Sequence, residues 1–360
     1  MSRFLSERFN GLVAYTPGEQ PRDFNKFVKL NTNESPYPPS PRVLERVNSR
    51  EVEKLNLYSD PTCKNLKSAL AKTYGTAPEN VFVGNGSDEI LSFFFMAFCD
   101  KEKAVAFPNI SYGFYKVYAE LYGIPYEEKS LLPDLTIKCA DYFGIGKNIV
   151  IANPNAPTGI SVSLENIEKM LETNPENIVL VDEAYVDFGG VSALGLLERY
   201  DNLLVVRTYS KSRSLAGARL GFAISSKEII ADLEKMKYST NPYNINRLTL
   251  VAGEAALEDE DYYRQNCEKI AKTREYTRER LEELGFVCTD SVANFIFAKS
   301  DAIHGEELYL ELKKAGVLVR HFSNPIISDH LRITVGTKQQ MDVLLEKTKE
   351  ILERKVKGDA

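Results

Sequence analysis

The sequence predicts an α/β chain: a large, mostly parallel, doubly covered sheet domain beside a smaller α+β domain. Two observations carry this expectation. Between Val81 and Lys237, short apolar runs alternate with segments of helical periodicity, as in β-α units whose strands are buried on both faces. After about Asn246 the alternation gives way to a long helical stretch, then a strand, a helix, two strands and a final helix. At 360 residues, 43% apolar and 27% charged, the chain suits about two globular domains.

In order along the chain, the opening stretch to about Ser40 is rich in Pro, Asn and Gly and is expected to be extended. Val81–Val83, Lys103–Phe107, Ile149–Ala152, Ile178–Asp182, Leu203–Thr208 and Gly221–Ile224 read as buried strands. Ser87–Cys99, Tyr112–Tyr122, Leu164–Glu172 and Lys227–Lys237 read as the intervening helices. The later helical stretch breaks near Glu258–Asp261 and closes on Gly285 as a C-terminal cap. A strand (Asn294–Ala298), a helix (Glu306–Ala315, closed by Gly316) and two strands (Val317–Arg320, Leu331–Val335) follow. The last helix presents Met341, Leu344, Leu345, Ile351 and Leu352 on one face, with Thr337 and Gln340 spaced for a capping box.

Composition excludes several functions. A formal net charge of −6 disfavours general binding to nucleic acid or anionic membrane. The longest strongly apolar stretch, Ile90 to Cys99, is far short of the roughly 20 residues that cross a bilayer. The first ten residues mix Arg and Glu around no apolar core, unlike a signal peptide. Five cysteines without Cys-x-x-Cys spacing fit reduced thiols and a cytoplasmic setting. His304, His321 and His330 are the only histidines, too few for a His-rich metal site or a Ser-His-Asp constellation to be expected.

Five segments could carry chemistry. Lys211, in Thr208-Tyr209-Ser210-Lys211, follows a buried strand; there it could face a ligand crevice and form a Schiff base, or be an ordinary surface lysine. Asp182 ends another strand, with Tyr185 three residues on. It could pair with a protonated ring nitrogen or simply cap the next element. A nucleotide-hydrolase role would need a Gly-x-x-x-x-Gly-Lys-Ser/Thr loop, which the sequence lacks. Gly84-Asn85-Gly86-Ser87-Asp88-Glu89 joins strand to helix and suits a phosphate. Its Glu89 stands where the dinucleotide fingerprint needs a glycine. Asn153-Pro154-Asn155-Ala156-Pro157-Thr158-Gly159 marks a rigid turn, and Tyr112 starts a helix where it could stack on a planar ring. Arg320 and Arg332 fall in neighbouring strands, two guanidinium forks suited to carboxylate or phosphate.

Together and in this order, from Asn31-Thr32-Asn33-Glu34-Ser35-Pro36 to Leu331-Arg332-Ile333-Thr334-Val335-Gly336-Thr337, these segments resemble the fold-type I pyridoxal-phosphate aminotransferases. Within them the chain is most similar to the histidinol-phosphate aminotransferases. The resemblance implies pyridoxal 5′-phosphate on Lys211, Asp182 at the ring nitrogen, Tyr185 at the ring oxygen and Tyr112 on the ring face. It places the cofactor phosphate among Gly86, Ser87, Asp88, Ser210 and Arg219. Tyr58, in Leu57-Tyr58-Ser59-Asp60, looks like the tyrosine that reaches the neighbouring subunit's cofactor, which implies a homodimer with shared active sites. Arg332, Arg320, Tyr15 and Asn33 make up the implied substrate set, for L-histidinol phosphate and for 2-oxoglutarate or glutamate. The implied division is an N-terminal segment (1–33) joining the small domain, a cofactor-binding domain (34–255) and a small domain (256–360). One position departs from the family pattern: Ala156 stands where the ring-oxygen asparagine usually precedes Pro-Thr-Gly. Asn155 is then the candidate for that contact, with Tyr185 the alternative. An aromatic amino-acid aminotransferase and a threonine-phosphate decarboxylase are the rival activities on this scaffold.

Overall fold

In the computed structural model, which describes residues 4–21, 23 and 26–358, seven strands form one sheet. Their order is Val81–Gly84, Gly221–Ser225, Leu203–Thr208, Val179–Asp182, Asn148–Ala152, Val105–Pro108 and Tyr126–Lys129. Only Gly221–Ser225 runs against its neighbours; every other pair along the sheet is parallel.

Alternate residues of the central strands serve two cores, as the period of a strand requires. Val150, Leu180 and Val206 pack with Ile90, Phe94 and Tyr115 on one face. Ile149, Ile151, Val179, Val181 and Val205 pack with Ile167, Met170 and Leu171 on the other. The covering helices include Gly86–Phe98, Phe114–Tyr122 and Lys227–Thr240 on the first face and Leu164–Thr173 on the second. Ser163 caps this last helix, its hydroxyl accepting from the Asn166 amide at 3.3 Å.

A second, antiparallel sheet has the order Arg320–His321, His330–Thr334, Phe295–Ser300, Phe286–Cys288. Its apolar side packs on helices Glu260–Glu283, Gly305–Lys314 and Lys338–Gly358 through Ile270, Leu308, Leu312, Met341 and Leu344. The capping box of the last helix forms as expected: the Thr337 amide donates to Gln340 Oε1 at 2.8 Å, and the Gln340 amide to Thr337 Oγ1 at 3.3 Å. Gly285 and Gly316 follow their helices at φ +83° and +81°, conformations open to glycine at little cost.

The expected strand Val317–Arg320 divides because its two ends bond to different partners. Val317–Leu318 pairs in parallel with Val28–Lys29, whereas Arg320–His321 pairs with Leu331 and Arg332. The first pairing is a separate two-stranded sheet that ties the early chain to the segment leading into the four-stranded one. All five cysteines are free. Among the described residues no helix is long and apolar enough to cross a membrane.

Candidate active site

The carboxyl ends of Asn148–Ala152, Val179–Asp182 and Leu203–Thr208 open onto a cavity of about 200 Å³, lined by residues that include Ala152, Asp182, Thr208 and Lys211. In open α/β sheets this edge is where ligands bind. Beyond Thr208 the chain turns sharply: the Ser210 amide donates to Thr208 Oγ1 at 3.1 Å, and the Tyr209 ring is buried in the core. That turn points Lys211 inward. Its Nζ donates to the Thr32 carbonyl at 3.1 Å. Burial, reinforced by the charge of Arg332, lowers its pKa to about 8.

Asp182 is buried, with the Tyr115 hydroxyl donating to Oδ2 at 2.8 Å and the Ala184 amide to Oδ1 at 3.2 Å. No cation pairs with it among the described residues. Burial therefore raises its pKa to about 6 against those two hydrogen bonds. Tyr185 lies across the cavity, its ring 5.8 Å from Lys211 Nζ and edge-on to Phe295. Asn33 Nδ2 donates to its hydroxyl at 3.1 Å.

The third wall is the start of helix Gly86–Phe98, whose N-cap Asn85 makes no side-chain cap bond, leaving first-turn amides available. Two glycines keep this wall open. A Cβ on Gly86, at φ +76°, would come within 2.6 Å of Arg219 Nη2, and one on Gly221 within 2.5 Å of the Ser87 amide nitrogen. Arg219 itself sits at φ +55°. Asp88 pairs with its Nη2 at 2.8 Å and accepts from the Tyr112 hydroxyl at 2.8 Å. Asp88 thus fixes both the arginine and the aromatic ring at the cavity wall.

Arg332 and Arg320 are direct partners across the smaller sheet. Arg332 lies 5.5 Å from the Phe295 ring and 5.6 Å from Phe322, and its Nη2 donates to the Asn31 carbonyl at 3.1 Å. Among the described residues its buried Nε has no partner, so donor capacity remains for an anion. Tyr15 packs on Phe114 at 4.3 Å and faces Tyr112 edge-on at 6.2 Å.

Several expected roles change. Asn155 is buried outside the cavity wall, and its amide is already engaged. Nδ2 donates to the Ile110 carbonyl at 2.9 Å and Oδ1 accepts from Ser111 at 2.8 Å. Ala156, not Asn155, is among the residues lining the cavity, and the Asn155 amide is committed to the turn. The Asn33 amide makes two contacts within the protein. Its Nδ2 donates to Tyr185 and its Oδ1 accepts from Thr334 at 3.0 Å. Arg320 directs Nη1 and Nη2 to the Pro17 and Thr16 carbonyls at 3.2 and 3.1 Å; it anchors the segment that carries Tyr15. Tyr58 is 79% exposed, stacked on Tyr243 at 4.5 Å and away from its own chain's cavity.

Sequence reasoning missed Tyr115, Thr32 and Glu34. Tyr115 follows Tyr112 by three residues, close to one helical turn, but its partner Asp182 is 67 residues away.

A sequence model for "Aminotransferase class I and II" matches residues 25–347. A histidinol-phosphate aminotransferase of Brachyspira hyodysenteriae is 48% identical over 353 residues, covering 98% of this chain and 99% of the relative. That of Chromohalobacter salexigens is 49% identical over 346 residues, covering 96% and 98%. The chain belongs to the histidinol-phosphate aminotransferase family. Solved members of that family share the fold. The enzyme of Clostridium acetobutylicum superposes with a TM-score of 0.83 at 24% identity, over 91% of this chain and 99% of that one. That of Sinorhizobium meliloti, in complex with pyridoxal 5′-phosphate, gives 0.81 at 24% identity over 91% of each.

Proposed function

We propose that this aminotransferase moves the amino group of L-histidinol phosphate to 2-oxoglutarate, giving imidazole-acetol phosphate and L-glutamate, with pyridoxal 5′-phosphate as cofactor. The observation that carries this reading is a single cavity in which half-buried Lys211 and cation-free Asp182 face a helix N-terminus backed by Arg219. These residues fit the cofactor: Asp182 lacks the cation that a protonated pyridine nitrogen provides, and Ser87, Ser210, Arg219 and the first-turn amides suit its phosphate. When bound, pyridoxal 5′-phosphate supplies an electron-withdrawing ring that accepts the electron pair released at the substrate Cα.

The protein's side chains do the rest. Lys211 Nζ, with a pKa near 8, is deprotonated in a useful fraction at neutral pH and removes the Cα proton. Asp182 keeps a proton on the ring nitrogen. Tyr185, oriented by Asn33, would donate to the ring oxygen, and Tyr112, fixed by Asp88, would hold the ring. Arg332 binds the phosphate of one substrate and a carboxylate of the other. Removing such a charge-assisted partner costs about 1.5–3 kcal/mol. Arg332→Ala is accordingly expected to lower kcat/KM roughly 10- to 100-fold in both half-reactions, measured separately in single turnovers. Normal rates with both substrates would remove Arg332 from this role.

The same reading includes a cytoplasmic homodimer, with residues 1–33 joining a small domain (256–360) and residues 34–255 forming the cofactor domain. Its support is an apolar surface around Tyr58: Leu44, Val52, Leu55 and Leu57 are each more than half exposed, unusual for contiguous chain without a partner. Lys237 Nζ holds the adjoining Pro61 carbonyl at 2.9 Å, so the loop carrying Tyr58 is braced from below. Tyr58→Phe should weaken cofactor retention about tenfold in a fluorescence titration while sedimentation still shows a dimer. Unchanged retention would take Tyr58 out of the site.

A further inference from the structure

Three carboxylates line the cavity among the described residues: Asp88, Asp182 and Glu34. The first two are engaged on both oxygens, Asp88 by Tyr112 and Arg219, and Asp182 by Tyr115 and the Ala184 amide. Glu34 differs. Its Oε2 takes hydrogen bonds from both Lys29 Nζ and Thr32 Oγ1, the latter at 2.6 Å. No hydrogen bond from the described residues reaches Oε1.

Glu34 is also close to the reacting amine. The carbonyl of Thr32, two residues earlier, accepts from Lys211 Nζ at 3.1 Å, and the Glu34 charge acts on that lysine. Burial pushes the Glu34 carboxyl upward, but the hydrogen bonds from Lys29 and Thr32 outweigh it and hold its pKa low. An ionised carboxylate with one oxygen open, beside Lys211, is suited to accept an N–H from a substrate. Of the substrates in the functional reading, glutamate and 2-oxoglutarate bring a second carboxylate, which Glu34 repels. L-Histidinol phosphate brings an imidazole ring with an N–H.

We propose that Glu34 is a specificity-determining residue, whose free Oε1 accepts the imidazole N–H of L-histidinol phosphate while Arg332 holds the phosphate. The inference rests on the substrate reading above and adds to it the group that distinguishes an imidazole from a plain aromatic ring. A phenyl ring in the same place desolvates Oε1 and gives it no partner, a loss that a site built around a hydrogen bond registers strongly.

The test compares L-histidinol phosphate with L-phenylalaninol phosphate, which has the same amine and phosphate but no ring N–H. Single-turnover amino-group transfer to the holoenzyme is measured for the wild type, Glu34→Gln, Glu34→Ala and Lys29→Gln. The wild type is expected to prefer the imidazole substrate on the order of 10- to 100-fold, the range of one hydrogen bond to a charged group. Glu34→Gln should reduce that preference and Glu34→Ala should erase it. Lys29→Gln removes the supporting charge but keeps the carboxylate, so its preference should stay within about threefold of wild type. A preference that survives Glu34→Ala overturns the proposal, as does one that Lys29→Gln erases equally, which would make Glu34 a structural partner of Lys29. A wild type that converts neither phosphate ester overturns the substrate reading as well.

Discussion

Lys211→Ala is expected to abolish transamination, with a loss of at least roughly 10⁴-fold, since it removes both the covalent attachment point and the proton-transferring base. Stability should change little. Among the described residues the Nζ makes one hydrogen bond, to the Thr32 carbonyl, and desolvation disfavours its charge, so its pKa lies near 8. Truncation relieves that desolvation while giving up the contact. Rates of both half-reactions together with thermal unfolding of the apoprotein check this. A variant retaining more than about one per cent of wild-type activity would move the chemistry elsewhere.

Asp182→Asn is expected to separate stability from activity. In the apoprotein the Asp182 carboxyl is buried without a cation, and its pKa stands at about 6 instead of 3.8. A carboxyl raised in this way contributes stability that is fully present below its unfolded pKa, near 4, and is lost as pH rises through 6. The span corresponds to at most about 3 kcal/mol. The asparagine variant keeps the shape and carries no such term, so the apo variant should gain on the apo wild type between pH 4 and pH 7. Activity should fall roughly 10³-fold or more, because a neutral amide cannot hold the ring nitrogen protonated. Paired denaturant titrations across that range, with turnover at pH 7, test both halves. A stability difference that is flat with pH would contradict the uncompensated-carboxylate account.

The fold was legible where burial imposed a simple pattern. Val179–Asp182 and Leu203–Thr208, buried at every position, open on the apolar runs Val-Leu-Val and Leu-Leu-Val-Val, which mark central sheet strands. Tyr126–Lys129 was not legible. This edge strand carries Glu127, Glu128 and Lys129, and charge is how an edge is kept from pairing further. Val28–Lys29 and Phe286–Cys288 are too short for any periodicity to register.

Lys211 and Asp182 could be singled out because each lies at or soon after a strand end, where sequence order and spatial position coincide; Arg219, just ahead of Gly221–Ser225, was named through the resemblance. Glu34, Thr32 and Tyr115 were not singled out. Their functional neighbours are distant in sequence, Thr32 by 179 residues from Lys211 and Tyr115 by 67 from Asp182. Asn155 shows what local spacing leaves open. Spacing near Pro-Thr-Gly indicates which turn is present, not which side chain the turn consumes internally. Here that turn uses Asn155 to hold Ile110 and Ser111.

The most direct test of the central claim is the visible spectrum of the purified protein with added pyridoxal phosphate, followed during titration with L-histidinol phosphate and, separately, L-phenylalanine. The account predicts a visible band from cofactor attached to Lys211, discharged by L-histidinol phosphate at low concentration and by phenylalanine only at much higher concentration. Readier discharge by phenylalanine would reassign the substrate to an aromatic amino acid. No such band with cofactor in excess would contradict the account at Lys211 itself.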